Sequence, residues 1–147
     1  MTTRLAATVA VAALLAAAAC GTGNLPAGTA EEALEAFNGH MAARDFESAA
    51  DYVYFECWDH TPGQTSAERR EQALETLAYQ YDHNDLDYTR AEVVGRGKPA
   101  EGFVTLSVAY RKRSEPTAGP QTWSMTFKRV GGGWRYYVPV PPAPPER

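Results

Sequence analysis

The sequence predicts an α+β domain in which three N-terminal helices pack on one face of a mainly antiparallel, four-stranded sheet. Apolar residues recur at helical spacing as far as residue 84, and from residue 86 they alternate with polar residues. Helices that precede strands in this way favour two segregated layers. The 147 residues are 44% hydrophobic and 22% charged, which suits one globular domain and excludes a collagen, a coiled coil or a wholly disordered chain.

Residues 1–19 are predicted to be a signal peptide. Arg4 supplies a positive start, and residues 5–19 are apolar or small apart from Thr8. This run of fifteen residues is too short to cross a bilayer core of about 30 Å as a helix. It has the length and the flanks of a secretory signal, and none of the sixteen aromatic residues lies within it. The sequence therefore predicts export from the cytoplasm.

Residues 20–28 are predicted to be a lipidated cysteine followed by a flexible tether. The segment from Ala17 to Gly21, with Cys20 after three alanines, resembles the lipobox of bacterial lipoproteins. That resemblance implies that Cys20 is acylated and anchors the protein to the outer face of the cell membrane. The alternative is plain cleavage after Ala19, which would release a secreted protein in which Cys20 and Cys57 could pair in a disulfide.

Capping signals mark the start of each predicted helix. Thr29 with Glu32 and Thr65 with Glu68 form capping boxes, and Asp45 is a third N-cap. The first helix is expected to end near residue 44 and the third near residue 84, while alternation over residues 52–58 indicates that the second helix runs into a short strand. The apolar stripes of the three helices are Leu34, Phe37 and Met41; Phe46, Ala49, Ala50, Val53 and Tyr54; and Leu74, Leu77, Ala78 and Tyr81.

Four segments that alternate with a period of two predict the strands, at residues 86–95, 103–113, 121–130 and 134–138. Glycines 131–133 supply the hairpin turn between the last two. Each strand has one apolar and one polar face, so one side of the sheet should pack against the helices. Residues 139–147 are proline-rich and are predicted to be a disordered tail, which leaves residues 29–138 as the single domain.

Charge is divided between the two predicted layers. Residues 30–87 hold fourteen acidic and three basic side chains, whereas residues 88–147 hold four acidic and ten basic ones. Solvated helix faces and basic strand ends that prevent aggregation explain this division. The alternative is a basic rim of the sheet that touches anionic envelope polymers or lipid headgroups. The isoelectric point near 5.4 and the export signal disfavour a nucleic-acid partner.

The order of these elements, the segment 43–50 (ARDFESAA) and the late segment 132–135 (GGWR) resemble the nuclear-transport-factor-two-like superfamily over residues 29–138. The resemblance implies a cystatin-like cone, in which a curved sheet wraps around a long helix. With its leader, the chain is similar to small exported lipoproteins of actinobacteria that carry this domain. The superfamily includes isomerases, cyclases, dehydratases and non-catalytic binding domains, and many members dimerise, so the fold does not decide the function.

The resemblance also implies a pocket between the sheet and the helices. The side chains at these positions are equally those that any core would need, so core packing and ligand contact are both open interpretations. The candidate pocket residues are Phe37, Met41, Tyr110, Trp123, Met125, Trp134 and Tyr136.

The sequence contains no recognisable catalytic, metal or cofactor site. Asp59 and His60 are adjacent in a predicted loop, where neighbouring side chains usually point apart, and nothing supplies an oxyanion hole for Cys57. Residues 82–87 lack the glycine and the distal glutamate of a calcium loop. We therefore expect a membrane-tethered, non-catalytic module that binds a small apolar ligand or an envelope protein, without a cofactor, and that forms homodimers as members of the superfamily often do. The alternative is an isomerase, cyclase or dehydratase that uses a buried carboxylate.

Overall fold

The computed structural model describes residues 27–56 and 63–139. Within them the α+β class is confirmed: three helices precede or flank the strands of one sheet. The helices are α1 (Ala30–Ala42), α2 (Phe46–Ala50) and α3 (Ser66–Asn84), with a 3-10 turn at Tyr88–Arg90. The strands are β1 (Val53–Phe55), β2 (Glu92–Arg96), β3 (Phe103–Tyr110), β4 (Gln121–Val130) and β5 (Gly133–Val138).

All three predicted helix starts are confirmed. At α1 the Glu32 N–H donates to Thr29 Oγ1 at 3.1 Å, and the Thr29 N–H donates to Glu32 Oε2 at 3.2 Å. Thr65 and Glu68 make the same reciprocal pair at α3, and Asp45 Oδ1 accepts from the Ser48 N–H at α2. Each cap supplies an acceptor for a backbone donor that the first turn leaves unpaired.

The capping box of α3 makes a prediction about acid stability. The Thr65 N–H and hydroxyl donate to Glu68 Oε2 and hold the pKa of that carboxyl below its ordinary value of 4.5. The folded protein therefore binds this proton more weakly than the unfolded chain, so the stabilisation is complete above pH 4.5 and is lost as the pH falls through the folded-state pKa. We expect Glu68→Gln to flatten the acid limb of a plot of the urea midpoint against pH. Glu71→Gln, on an exposed carboxylate of the same helix, should leave that limb unchanged.

The sheet is mixed and has five strands, in the order β1-β5-β4-β3-β2. The prediction of a mainly antiparallel, four-stranded sheet is therefore confirmed for the pairs β5–β4, β4–β3 and β3–β2 and was wrong in the number of strands. The fifth strand is β1, which lies parallel to β5 with Val53 opposite Tyr136. The alternation over residues 52–58 predicts a short strand here, but its partner strand lies about 80 residues away in the sequence, so its place in the sheet and its parallel direction left no local signal.

Three predicted boundaries also differ from the structure, and the first is the end of the strand predicted over residues 103–113, which lies at Tyr110. The helix α2 ends at Ala50, before Val53 and Tyr54, because these two residues belong to β1. The predicted strand over residues 86–95 begins only at Glu92: Leu86 forms an isolated bridge with Lys112, and the 3-10 turn follows it. Asp87 causes that turn, since its side chain accepts from the Thr89 N–H at 3.0 Å.

The predicted alternation of β3 and β4 is confirmed and defines an inner face. Leu106 and Val108 of β3 are buried and lie opposite Met125 and Trp123 of β4. Helix α1 lies against this face, with the Phe37 ring 5.8 Å from that of Tyr136. Helix α2 packs on α1, and α3 packs on α2 and adds Leu77 to the core. The glycine hairpin is also confirmed, with positive φ angles of 58° and 84° at Gly131 and Gly132.

The ends of the predicted domain are only partly described. Ala27, which the sequence places in the tether, is buried in the core cluster, and its carbonyl accepts from the Trp134 N–H at 3.2 Å. Residues 1–26, including Cys20, and most of the predicted tail, residues 140–147, lie outside the described residues, as do Cys57, Asp59 and His60. None of the described helices is both long enough and apolar enough to span a membrane.

Candidate functional site

A cavity of about 100 Å³ lies where β3 ends and β4 begins. Its floor is the inner face of the sheet, and α1, the end of α3 and the 3-10 turn close its sides. Nine residues line it: Phe37, Gln80, Asn84, Leu86, Tyr88, Tyr110, Trp123, Met125 and Tyr136. An apolar cavity of about 150 Å³ can hold a molecule the size of benzene, so this smaller cavity, open at the rim beside Trp123, encloses only part of a single small ring.

The structure brings five of the seven candidate pocket residues to this cavity: Phe37, Tyr110, Trp123, Met125 and Tyr136. The other two lie elsewhere. Met41, one turn further along α1, is fully buried in the core, and Trp134 is half-buried and packs against the core near the opposite end of the sheet. Met41 is four positions from the lining residue Phe37 on α1, and Trp134 is two positions from the lining residue Tyr136 on β5. Periodicity therefore predicted the correct face of each element but not which residues along that face reach the cavity.

Four lining residues were missed: Gln80, Asn84, Leu86 and Tyr88. They come from the last turn of α3 and from the segment that follows it. The apolar pair Leu86 and Tyr88 was visible in the sequence, but it was assigned to a strand of the sheet. Gln80 and Asn84 gave no signal, because a polar residue at the end of a helix is normally solvated.

Aromatic rings form most of the cavity wall. The ring centroid of Phe37 lies 5.8 Å from that of Tyr136 and 6.3 Å from that of Tyr88. Tyr88 in turn meets Tyr110 edge to face at 5.7 Å. Such edge contacts fix the ring orientations, which preorganises the wall for a flat apolar molecule. Trp123 stands at the rim, 39% exposed, although it belongs to the same face as the buried Met125.

Three tyrosine hydroxyls give the wall its polarity. The Tyr110 hydroxyl donates to Asn38 Oδ1 at 2.8 Å, with Met125 Sδ as a more distant acceptor at 3.4 Å. Within the described part of the chain, the hydroxyls of Tyr88 and Tyr136 form no hydrogen bond. Burial raises the pKa of Tyr88 to about 12 and also raises the pKa values of Tyr110 and Tyr136. All three therefore stay neutral at physiological pH and can both donate and accept hydrogen bonds.

The described wall offers no charged group. None of the nine lining residues is acidic or basic, and no charged side chain is buried within residues 27–56 and 63–139. A general acid or base of the carboxylate kind would have to come from outside this set. The same described ranges contain no group of three His, Cys, Asp or Glu side chains that could hold a metal ion. The arrangement can therefore bind a neutral molecule through ring contacts and hydroxyl hydrogen bonds.

A second aromatic cluster lies on the outer face of the sheet, and the protein fills it with its own side chain. The ammonium of Lys128 is 4.8 Å from the ring centroid of Tyr54, 5.6 Å from that of Phe103 and 5.5 Å from that of Tyr137. Glu56 Oε1 lies 3.8 Å from the same nitrogen. These cation–π and ionic contacts satisfy Lys128, so the cluster is not an open ligand site.

No protein-family model matches the chain, and no curated protein matches it. The membership of the nuclear-transport-factor-two-like superfamily thus stays a proposal.

Proposed function

We propose that the protein is a membrane-tethered lipoprotein of the cell envelope whose domain binds a small, neutral, mainly apolar molecule without transforming it. The observation that carries this proposal is the cavity between α1, α3 and the sheet, with aromatic walls, neutral hydroxyls and no charged lining residue. A charged ligand would lose its hydration there without gaining a partner of opposite charge. A neutral ring would exchange water contacts for aromatic ones.

The envelope location is supported by the leader. The apolar run over residues 5–19 and the lipobox-like segment that ends in Cys20 and Gly21 are the features on which it depends. Acyl chains on Cys20 would give stable membrane attachment where a single chain is marginal. The finer fold assignment, a curved cystatin-like cone of the nuclear-transport-factor-two-like kind that forms homodimers, is supported by the order of the elements and by a pocket between helices and sheet.

Native and then denaturing mass spectrometry on the protein purified from host membranes tests both parts. The denatured mass should exceed that of residues 20–147 by a diacylglyceryl group or more, and Cys20→Ala should leave the membrane fraction. A native species that loses a small molecule on denaturation would identify the ligand. An unmodified Cys20, or a disulfide between Cys20 and Cys57, would overturn the anchor. A cavity that is empty in the native spectrum would favour the alternative of a protein partner.

Charge discrimination is the second test of the binding site. Phenol, benzoate and benzylammonium have similar sizes and differ in charge, so we expect phenol to bind at least tenfold more tightly than either ion, because each ion would be desolvated without a partner. Ligand-detected NMR titration measures the three affinities. Tighter binding of benzoate or benzylammonium would contradict a neutral site.

Two neighbouring tyrosines on β5 provide a matched pair for the same titration. Tyr136 lines the cavity, whereas Tyr137 points to the outer face and donates to Glu56. One hydrogen bond contributes about 0.5–1.5 kcal/mol, so Tyr136→Phe should weaken phenol binding roughly two- to tenfold. Tyr137→Phe should leave the affinity unchanged, and equal effects of the two substitutions would place the ligand elsewhere.

A further inference from the structure

The described chain begins at a defined end of the sheet. The Ala27 carbonyl accepts from the Trp134 N–H at 3.2 Å, so the residues before Ala27 join the domain beside the start of β5. Cys20 precedes Ala27 by seven residues, which can span at most about 25 Å of extended chain. An acyl anchor on Cys20 would therefore keep this end of the domain, here called the tether end, close to the bilayer.

Two strand connections also lie at the tether end. The β4–β5 hairpin is there because β5 starts there, and the β2–β3 connection lies beside it because the Arg129 N–H donates to the Gly102 carbonyl at 2.9 Å. Three cationic residues lie at this end: Lys98 in the β2–β3 connection and Arg129 near the hairpin are exposed, and Arg135, opposite Lys128 on the outer face, is half-buried. One carboxylate, Glu101, shares the same connections.

The cations of the tether end differ from those at the cavity end in their partners. In the described part of the chain, Lys98, Arg129 and Arg135 have no carboxylate within ion-pair distance. Around the end of α3 and the β3–β4 connection, by contrast, three cations lie beside carboxylates, and a fourth, Arg111, donates to the Ala118 carbonyl at 2.8 Å. Arg44 is 3.9 Å from Asp82, Arg113 is 3.7 Å from Asp85, and Lys112 is 3.6 Å from Glu115. Cationic charge without an internal partner is thus concentrated where the chain would approach the membrane.

We propose that the tether end is a docking surface for an anionic phospholipid bilayer. This inference rests on the proposed membrane anchor and adds an orientation to it. Lys98, Arg129 and Arg135 meet the lipid phosphates, and each contributes roughly a fivefold gain in docking at low salt. The cavity lies at the opposite end of β3 and β4, so the docked domain presents it away from the bilayer, toward solutes of the envelope.

The three lysines of the chain allow a test within one molecule. Lys98 is at the tether end, Lys112 is at the cavity end, and Lys128 is the internal partner of Glu56. The mature, acylated protein is reconstituted on the outside of phosphatidylglycerol or phosphatidylcholine vesicles and treated briefly with an amine-reactive reagent. Mass spectrometry then gives the labelling ratio of Lys98 to Lys112. We expect this ratio to fall several-fold on phosphatidylglycerol relative to phosphatidylcholine, and to recover at high salt because the contact is electrostatic.

Charge-matched variants separate docking from general electrostatics. The double substitution Arg129→Gln, Arg135→Gln should restore the labelling of Lys98 on phosphatidylglycerol vesicles. Arg44→Gln, Arg90→Gln removes the same charge from exposed arginines away from the tether end and should leave Lys98 protected. If the protein floats with both kinds of vesicle and the ratio is the same on each, the docking surface is wrong while the anchor stands. If it floats with neither, the anchor fails and the orientation fails with it.

Discussion

Replacement of Phe127 by alanine is expected to lower the free energy of unfolding by about 3–5 kcal/mol. Phe127 is 0% exposed and lies at the centre of the inner face, paired with Val104 on β3 and with Tyr136 on β5. Its ring centroid is 5.9 Å from that of Tyr136. Removal of the ring would leave a cavity that three rigid strands cannot collapse to fill, so both the transfer energy and the packing contacts are lost.

The size of this effect follows from the small stability of single domains. The free energy of unfolding of such domains is about 5–15 kcal/mol. The variant would therefore lose a large part of its stability, and its urea midpoint would fall sharply. Circular dichroism against urea concentration measures it. Trp123→Ala is the matched control, since Trp123 is an aromatic residue on the same strand and face but is 39% exposed, and it should cost far less. Equal losses for the two variants would contradict the burial of Phe127 on the inner face of the sheet.

Tyr110→Phe is expected to lower the free energy of unfolding by about 1–3 kcal/mol, because it leaves the buried acceptor Asn38 Oδ1 without a hydrogen-bond donor. Tyr110 is 1% exposed and Asn38 is 6% exposed, and the hydrogen bond between them joins β3 to α1. Without the hydroxyl, Asn38 Oδ1 has no donor in the described part of the chain. The substitution removes one oxygen and leaves the ring packing intact, so the loss reports the hydrogen bond and little else.

A double-mutant cycle isolates the pair. Asn38→Ala, Tyr110→Phe and the double variant are compared by urea unfolding, and the coupling free energy should be about 1 kcal/mol or more. In Asn38→Ala, the Tyr110 hydroxyl still has Met125 Sδ at 3.4 Å as a weaker acceptor. The part of the stability loss that comes from the broken hydrogen bond should therefore be smaller in Asn38→Ala than in Tyr110→Phe. A coupling free energy of zero would show that the two side chains are independent.

The hydrogen bond between Asn38 and Tyr110 also serves the cavity. It commits the single hydroxyl proton of Tyr110 to Asn38, so toward a ligand this tyrosine acts as an acceptor. The hydroxyls of Tyr88 and Tyr136 can donate to a ligand, because burial raises the pKa of both and they stay protonated. A ligand that both donates and accepts, such as a phenol, matches this set of groups better than a hydrocarbon of the same size.

Local chemistry was sufficient for much of the fold. Thr29, Asp45 and Thr65 act as caps through atoms three residues away, so the sequence contains the whole interaction. The alternation of β3 and β4 identified the inner face for the same reason, since neighbouring positions on a strand point to opposite sides. Burial of Leu106 and Val108 could therefore be predicted without knowing any partner strand.

Contacts between distant residues could not be predicted in that way. Val53 pairs with Tyr136, and Tyr110 bonds to Asn38 across 72 residues, yet neither relation leaves a periodic mark in the chain. The cavity shows the same limit. Its floor comes from residues with a clear apolar pattern, whereas Gln80 and Asn84 become lining residues only because the end of α3 happens to lie above Tyr110.

The sequence by itself thus determined the α+β class, the helix starts, the hairpin turn and the side of the sheet that packs, because each depends on interactions within a few residues. Only the tertiary structure decided where β1 joins the sheet, its parallel direction, the positions of Met41 and Trp134 outside the cavity, and the separation of the cavity end from the tether end. Those features depend on how elements that are far apart in the chain pack together. The free energy of this packing is distributed over many residues, so it leaves no local pattern in the sequence.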